Sequence, residues 1–345
     1  MAIGRKRLAL EVAALLVVVA LIVTFVARRR NDSDRHVDHR FMMGTIVSVT
    51  VLTPDADAGR AAIDAAFDEI ARIEALITRH SEDSEIARLN ARAEGFVGES
   101  VSREVAQIVW RSLAVARASC GAFDITVTPL VDLWTLNDED FSVPDESAVS
   151  AALRSVDWRA VQVDTATCTM TVLPGTTLDL DGVAKGYAVD RAVAVLEAMG
   201  MKTGVVDAGG DVGFAGRPPD GDGWRVGIKH PRQDGLLGVA NLSGGGIATS
   251  GDYQRYALVD GVRYHHILDP ATGYPARGVM SVTVASERAV DADALATAVF
   301  VLGPDEGLAL IERTPGAAAV VVTGDGDSVG RVLVSSGLKE KFVEQ

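Results

Sequence analysis

The sequence predicts one mixed domain of α-helices and β-strands, organised as two packed lobes behind a single membrane-spanning helix. Its 345 residues are 48% hydrophobic and 23% charged, which is enough apolar material for a substantial core. Strand patterns alternate with amphipathic helix patterns along most of the chain, and no repeat or linker divides it. An apolar run near the N-terminus is long enough to cross a bilayer.

The apolar run, LALEVAALLVVVALIVTFVA, extends from Leu8 to Ala27, and about 20 residues span about 30 Å at about 1.5 Å per residue. We therefore expect a short basic N-terminus at 1–7, a transmembrane anchor at 8–27 and an exposed linker at 28–40. A cleaved signal peptide is the alternative, but basic residues stand where a small-residue cleavage site would be needed. Basic residues flank both ends, so charge alone does not orient the span.

The folded domain is expected from residue 41 to residue 345. Thr45 to Val51 alternates apolar and polar residues as a half-buried strand does, and Ala58 to Thr78 repeats apolar residues at helical spacing. The same patterns predict further elements. We expect helices at 105–118 and 186–199, and strands at 203–207 and 279–285.

Composition argues against two classes of function. A formal net charge of −14, without a basic patch that contains aromatics, argues against nucleic-acid binding. Cys120 and Cys168 are the only cysteines and have no CxxC spacing, which argues against a zinc or thiol-redox site. A disulfide between them and two buried free thiols both remain open.

Asp293 and Thr297 are a candidate metal-binding pair. They lie four residues apart in an Ala-rich helical segment, and residues at this spacing share one face of a helix. A carboxylate and a hydroxyl are hard oxygen ligands that suit Mg²⁺. The structural alternative is an Asp that favours the helix dipole and a Thr that bonds back to the preceding turn.

Three other segments contain residues suited to a polar ligand. The segment LDLDGVAKGYAVD, residues 178–190, combines three acids with one lysine, although composition alone favours a solvated turn with a helix cap. Two glycine clusters, at 205–216 and 242–256, could bind phosphate through main-chain N–H groups, or could simply form hairpin turns. The pair His265 and His266 precedes a turn, and one of the two is expected to face a ligand, because adjacent strand residues point to opposite faces.

Taken in order, these segments resemble the ApbE family of flavin transferases. The resemblance covers nearly everything from Phe41 to Gly303. It is carried by MGT (43–45), DSEIARLN (83–90), GAFDITVTPLVDLW (121–134), LDLDGVAKGYAVD (178–190), VVDAGGD (205–211), ATSGDYQRY (248–256), HHILDPATGYP (265–275) and DADALATA (291–298).

The resemblance implies an α+β fold related to the T-fold, in a single catalytic domain. It implies Mg²⁺-dependent transfer of FMN from FAD, the substrate, to a Thr or Ser hydroxyl of a target protein, with AMP released. An FAD diphosphatase and a non-catalytic flavin carrier are the alternatives. The expected acceptor is a redox-complex subunit or a secreted flavoprotein. The family's usual location also implies that the catalytic domain lies outside the cytoplasm, held at the bacterial cytoplasmic membrane by one span.

The resemblance also implies roles for individual residues. Asp293 and Thr297 would bind Mg²⁺ with the main-chain carbonyl of Gly182, and Asp293 would thereby be catalytic. His266 would lie at the reacting diphosphate, where it or a nearby acid could assist proton transfer. The expected flavin contacts are Met43, Ala122, Phe123, Asp124, Asp179, Lys185 and Leu268. Two positions depart from many relatives: Ala296 replaces a second acid beside the metal threonine, and His80 replaces an aromatic residue near the flavin.

Overall fold

The computed structural model describes residues 34–136, 141–218 and 221–345, and an eight-stranded sheet forms its middle layer. The strands of the described chain are β1 (Arg35–Met42), β2 (Thr45–Leu52), β3 (Phe96–Ser100), β4 (Val161–Asp164), β5 (Thr169–Val172), β6 (Thr203–Ala208), β7 (Asp211–Gly216), β8 (Trp224–Lys229), β9 (Leu236–Leu242), β10 (Gly246–Gly251), β11 (Tyr256–Val259), β12 (Val262–His265), β13 (Val279–Ser286), β14 (Ala318–Asp325), β15 (Ser328–Val334) and β16 (Phe342–Glu344). The order in the large sheet is β1-β2-β6-β7-β10-β13-β14-β15. The strand pairs of the described residues are all antiparallel.

The α-helices of the described chain are α1 (Ala56–Ile77), α2 (Glu85–Asn90), α3 (Arg103–Ala118), α4 (Thr128–Leu133), α5 (Glu146–Leu153), α6 (Asp181–Ala198), α7 (Ala289–Leu302) and α8 (Pro304–Glu312). Of these, α1, α6, α7 and α8 pack on the large sheet. Helix α1 begins where the side chain of Asp55 accepts hydrogen bonds from the N–H groups of Asp57 and Ala58. Its apolar residues, among them Ile63, Phe67 and Ile70, are buried against α6 and the sheet, so the amphipathic pattern determines which face packs.

Helix α7 is apolar on nearly all sides because it lies between other layers. It packs on β10 and β13 with one face and on α3, α6 and α8 with others. Ten of its residues are buried, including Asp293. A polar side chain in such a helix must find a partner inside the protein, so Asp293 is held in a fixed position.

A second, three-stranded sheet covers the opposite face of the large sheet, in the order β16-β9-β8. Its core with the large sheet contains Phe214, Trp224 and Ile228. A third sheet, β3-β5-β4, and the hairpin of β11 and β12 lie outside these layers. The domain is therefore a helix layer, a large antiparallel sheet and a small sheet, which confirms the α+β prediction.

Most predicted elements are present, with shifted ends. Strands β2, β6 and β13, and helices α1 and α3, match their predicted ranges within two residues. The helix predicted at 186–199 begins five residues earlier, at Asp181. The predicted linker at 28–40 is wrong from Arg35 onward, because those residues form β1, an edge strand that pairs with β2. Its charged, mostly exposed side chains give no strong alternation, which is typical of protected sheet edges.

The predicted anchor at 8–27 lies outside the described residues. Within the described chain, none of the helices combines the length and the hydropathy that a membrane span requires. Cys120 and Cys168 are both free thiols, so the structure does not contain the disulfide. Neither thiol is buried, so the alternative of two buried free thiols is not met either: Cys120 is exposed and Cys168 is partly exposed.

Candidate functional site

Helices α6 and α7 pack closely enough to define the position of every candidate metal ligand. A Cβ atom on Gly186 of α6 would lie 2.4 Å from the carbonyl oxygen of Ala289, so only glycine fits there. One turn later, the carboxylate of Asp190 accepts hydrogen bonds from the main-chain N–H groups of Ala289 (2.8 Å) and Val290 (3.1 Å). These contacts cap the first turn of α7 and fix it against α6.

Two acids and one lysine form a cluster where these helices meet β7. Nζ of Lys185 lies 2.8 Å from Oδ2 of Asp211 and 3.7 Å from Oδ1 of Asp293. The other oxygen of Asp293, Oδ2, accepts a hydrogen bond of 3.0 Å from the N–H of Gly186. Both carboxylates are buried, with 2% of Asp211 and 4% of Asp293 exposed. One lysine therefore faces two buried acids.

The cluster has strongly altered proton affinities. Burial, and then the neighbouring charge of Asp211, raises the pKa of Asp293. Burial alone would lower the pKa of Lys185, but the two carboxylates outweigh it and the pKa is raised. The lysine is thus charged, and without a second cation Asp293 tends to keep a proton, because the cluster has one cation for two acids.

A divalent cation fits the residues that are present. Oδ2 of Asp211 is buried, and no described donor meets it with hydrogen-bonding geometry. The N–H of Gly186 donates to Asp293, and the carbonyl group of Gly182 belongs to the same turn of α6. Among the described residues, the hydroxyl of Thr297 has one hydrogen-bond partner, the hydroxyl of Ser250 at 3.2 Å. These carboxylate, carbonyl and hydroxyl oxygens form a hard donor set of the kind Mg²⁺ takes together with water. The described residues contain no cluster of three or more His, Cys, Asp or Glu side chains that could hold a metal, so the predicted set depends on a carbonyl and a hydroxyl.

The two adjacent histidines have different roles. His265 is buried, with Nε2 2.8 Å from the carbonyl oxygen of Ala276 and its ring against Phe300. His266 is only partly buried. Its main-chain N–H (3.1 Å) and its ring Nδ1 (3.3 Å) both face the carbonyl oxygen of Arg255. This leaves Nε2 for a ligand. Burial, and then the positive charge of Arg255, lowers the pKa of His266 to about 3, so its ring is neutral near pH 7.

The predicted flavin segment lies against the start of α6. A Cβ atom on Gly182 would lie 3.1 Å from the ring of Phe123, so the two residues are in contact. The N–H of Asp179 donates to the carbonyl oxygen of Ile125 (2.7 Å), which joins the two predicted segments. Asp179 is buried, and Nε of Arg79 lies 3.1 Å from its Oδ2 without hydrogen-bonding alignment. Burial, and then the charge of Asp181, raises the pKa of Asp179 to about 6.

Asp124 has a structural role in the described chain. Its carboxylate accepts hydrogen bonds from the N–H and the hydroxyl of Thr126, both at 2.7 Å, and from the N–H of Trp158 at 2.9 Å. Ala122 precedes it and is partly exposed. Three donors hold the carboxylate of Asp124 already, so a ligand at this segment would meet main-chain groups and the ring of Phe123 first.

Met43 lies at the same end of the large sheet as Asp211. It occupies the tight turn between β1 and β2, where its φ is +51° and its N–H donates to Glu74 (2.8 Å). The next strand begins at Thr45, and a Cβ atom on Gly209 would clash with the Thr45 side chain. Gly209 is two residues before Asp211, so these two turns are neighbours.

Leu268 is buried in a separate cluster with Leu130, Trp134 and Val149. The structure also places the two departures from the expected pattern. Ala296 is completely buried, so an acid at this position would need its own partner. His80 is exposed and lies near Asp179.

The structure thus gathers Gly182, Lys185, Asp293 and Thr297 into one site, with Phe123 and Asp179 adjoining it. It also adds Asp211, which sequence reasoning missed and which supplies a second acid. The available signal was the acid directly after a Gly-Gly turn in VVDAGGD, because such a residue is the first of a strand.

Comparisons with known proteins agree with this fold. A model of the ApbE family matches residues 43–322. Curated proteins named FAD:protein FMN transferase are similar to the chain. That of Treponema pallidum (strain Nichols) is 35% identical over 323 residues, 87% of this chain and 86% of that protein. That of Klebsiella pneumoniae (strain 342) is 34% identical over 280 residues, 80% and 85% respectively.

Solved structures are similar too. The ApbE protein of Thermotoga maritima MSB8 superimposes with a TM-score of 0.80 at 36% identity, over 89% of this chain and 99% of that chain. The apo form of the flavinyl transferase ApbE of Pseudomonas stutzeri has a TM-score of 0.78 at 31% identity, over 89% and 96%.

Proposed function

The chain belongs to the ApbE family, and from this membership we infer that it is an FAD:protein FMN transferase, which moves FMN from FAD to an acceptor protein. The structural observation that supports this function most strongly is the buried cluster of Lys185, Asp211 and Asp293 beside Thr297. A site with one cation and two acids suits a diphosphate held together with a divalent metal.

We propose that the reaction is Mg²⁺-dependent and releases AMP. The oxygen of an acceptor Thr or Ser forms a bond to the FMN-side phosphorus of FAD, and the bond from that phosphorus to the bridging oxygen breaks. AMP leaves with the bridging oxygen and its electron pair, and the hydroxyl proton passes to a base. Mg²⁺ bound by Asp293, Thr297 and the carbonyl of Gly182 would polarise the diphosphate oxygens and neutralise the leaving group.

The chain's own residues perform the remaining tasks. Lys185 is charged and close to the cluster, so it would hold a phosphate oxygen while Asp211 keeps the ammonium group in place. His266 has a neutral ring with Nε2 directed away from Arg255, which suits it to accept the hydrogen bond of the incoming hydroxyl. His266 and Asp211 are the two candidate bases. Phe123 and Asp179 would border the flavin nucleotide, with Met43, Ala122, Asp124 and Leu268 as further contacts.

One assay tests this function. The chain from Asp34 onward is mixed with FAD, Mg²⁺ and a candidate acceptor protein, and products are followed by in-gel flavin fluorescence and by release of AMP. A covalently fluorescent acceptor supports transfer. FMN and AMP formed without acceptor would instead indicate an FAD diphosphatase, and intact bound FAD would indicate a carrier.

Asp293→Ala provides the decisive variant. We expect it to abolish Mg²⁺-dependent turnover while the circular dichroism spectrum is retained, because the substitution removes a metal ligand and leaves the apolar core intact. Full activity in this variant would refute the metal assignment. Asp305→Ala, at an exposed acid in the first turn of α8, is the matched control and is expected to retain full activity.

We also propose that residues 8–27 anchor the domain on the outer face of the bacterial cytoplasmic membrane. The proposal is supported by the length and hydropathy of this run and by the usual location of the family. A C-terminal alkaline phosphatase fusion, which is active only outside the cytoplasm, tests the orientation. An inactive fusion paired with an active cytoplasmic reporter at the same position would contradict it.

A further inference from the structure

A cavity of about 650 Å³ lies between the large sheet and the small sheet, on the face opposite the helices. None of the residues that we assign to FAD or Mg²⁺ lines it. The large sheet contributes residues of β6, β7, β10 and β13, and the small sheet contributes the whole of β8. A volume of this size is within the range that binds a ligand or a few side chains.

The cavity follows the free edge of β8. All six residues of this strand line it, including the buried Trp224 and Ile228 and the exposed Arg225 and Lys229. Side chains of a strand alternate between two faces, so both sets can border one cavity only along the strand's edge. Strand β9 occupies the other edge of β8, so this edge is unpaired in the described chain.

The hydrogen-bond register identifies the main-chain groups that face the cavity. The N–H of Asn241 in β9 donates to the carbonyl of Lys341, and the carbonyl of Leu237 accepts from the N–H of Gln345. The odd-numbered residues of β9 therefore bond towards β16, and the even-numbered ones bond towards β8. Arg225 is opposite Asn241 in the register. The N–H and C=O groups of Arg225, and those of Gly227 two residues on, consequently point to the free edge.

The inner surface of the cavity is aromatic and contains an unpaired donor. The rings of Phe214 and Trp224 stack with 4.8 Å between their centroids. Trp224 is only 8% exposed, and its buried Nε1 has no hydrogen-bond partner in the described chain. Buried donors of this kind normally have a partner, so the site suits an occupant with a carbonyl oxygen as well as apolar atoms.

The cavity and the cluster of Lys185, Asp211 and Asp293 lie on opposite faces of the large sheet, beside the point where β7 and β10 separate. Strands β7 and β10 pair only at Gly246 with Gly213 and at Ile247 with Val212. Beyond this point Thr249 lines the cavity, while the next residue, Ser250, bonds to Thr297 on the helix face. In the same way Gly210 lines the cavity and the next residue, Asp211, contacts Lys185. On both strands, therefore, one residue lines the cavity and the next residue faces the cluster.

We propose that an extended segment of the acceptor protein, next to the hydroxyl that receives FMN, docks as an added strand on the free edge of β8. The main chain of this segment pairs with Arg225 and Gly227, and one of its apolar side chains enters the cavity against Phe214 and Trp224. Strand addition of this kind derives affinity from main-chain hydrogen bonds and specificity from pockets for alternate side chains. The inference rests on the proposed transferase function, because it names the partner of the same site.

The test uses two variants of one residue in the full chain, purified in detergent. Arg225→Pro removes the free-edge N–H without removing a bond to β9, and Arg225→Ala keeps that N–H while removing the guanidinium group. The probe is a pool of synthetic dodecapeptides with one central threonine and randomised flanks, incubated with FAD and Mg²⁺. Mass spectrometry measures peptides that gain one FMN. FAD binding, followed by flavin fluorescence, checks that both variants fold.

We expect Arg225→Pro to label peptides about tenfold less than Arg225→Ala, the effect of losing roughly one main-chain hydrogen bond. Labelled peptides should share one apolar residue at a fixed position relative to the threonine, and N-methylation of alternate peptide bonds should abolish labelling. Equal labelling by the two variants would overturn the inference. So would a chain that labels an acceptor protein but no peptide, which would assign the cavity to a small molecule or a second copy. A chain that labels neither probe would instead refute the transferase function itself.

Discussion

Replacing Asp190 with Asn should change how the stability of the domain depends on pH. Asp190 accepts hydrogen bonds from the N–H groups of Ala289 and Val290, but burial outweighs them and raises its pKa from 3.8 to about 6. A raised pKa means that the native state holds a proton more tightly than the unfolded state. Stability from this residue is therefore fully present below about pH 4 and is lost as the pH rises through about 6.

The magnitude follows from these two values. At pH 7.5 the carboxyl group is ionised in both states and contributes nothing through its proton. At pH 5 it is mostly protonated in the native state and mostly ionised in the unfolded state, which adds about 1.4 kcal/mol to the free energy of unfolding. Asn cannot titrate, so on going from pH 7.5 to pH 5 the wild type should gain about 1.4 kcal/mol relative to Asp190→Asn.

Urea unfolding of the chain from Asp34 onward, followed by circular dichroism at both pH values, measures this difference. Asp305→Asn is the control, because Asp305 is exposed in the first turn of α8. The difference in the free energy of unfolding between Asp305→Asn and the wild type should hardly change between the two pH values. If the Asp190→Asn difference is the same at pH 5 and pH 7.5, or moves in the opposite direction, the assignment of a raised pKa to Asp190 is wrong.

Three further predictions concern the cluster. Gly186→Ala should destabilise the domain by about 1–3 kcal/mol and weaken Mg²⁺ binding, because the new Cβ would lie 2.4 Å from the carbonyl oxygen of Ala289. Thermal melting measures the loss of stability, and Mg²⁺ titration measures the loss of affinity. An unchanged melting temperature would contradict the prediction. Lys185→Met should destabilise the metal-free domain by about 3 kcal/mol, because two buried acids lose their cation. Added Mg²⁺ should restore part of the lost stability. A stability that does not change with Mg²⁺ would count against the site. His266→Gln should lower kcat at least about 100-fold and leave the Kd for FAD within a few-fold. Single-turnover transfer measures the effect. A normal kcat would exclude His266 from the chemistry.

Local patterns were sufficient to predict the helices that bear the site. The spacing of Asp293 and Thr297 predicts one shared helix face, and both residues lie on α7, where Asp293 contacts Gly186 of α6 and Thr297 contacts Ser250 of β10. The start of α6 was predicted five residues late, because Asp181 and Gly182 were interpreted as parts of a turn. Acids favour the first turn of a helix, so the same residues also suit a helix start.

Asp211 illustrates what local patterns cannot show. Its partner Lys185 is on α6, and they meet only because α6 packs across β6 and β7. No period in the sequence encodes this contact. Strand β1 was missed for a different reason: it is an edge strand whose side chains are largely exposed, so its residues carry charges that resemble those of a linker.

Three contacts between α6 and α7 act on the same few atoms, and together they make metal affinity a property of the helix interface. Gly186 sets the distance between the helices, its N–H orients the carboxylate of Asp293, and Asp190 fixes the first turn of α7. A change at any one of them moves Asp293 relative to the carbonyl of Gly182, which lies one turn before Gly186. Mg²⁺ requires near-ideal octahedral geometry, so a small shift between these oxygens should weaken binding more than it weakens the fold. Substitutions at Asp190, which is not itself a proposed ligand, should therefore reduce Mg²⁺ affinity in proportion to how far they release α7.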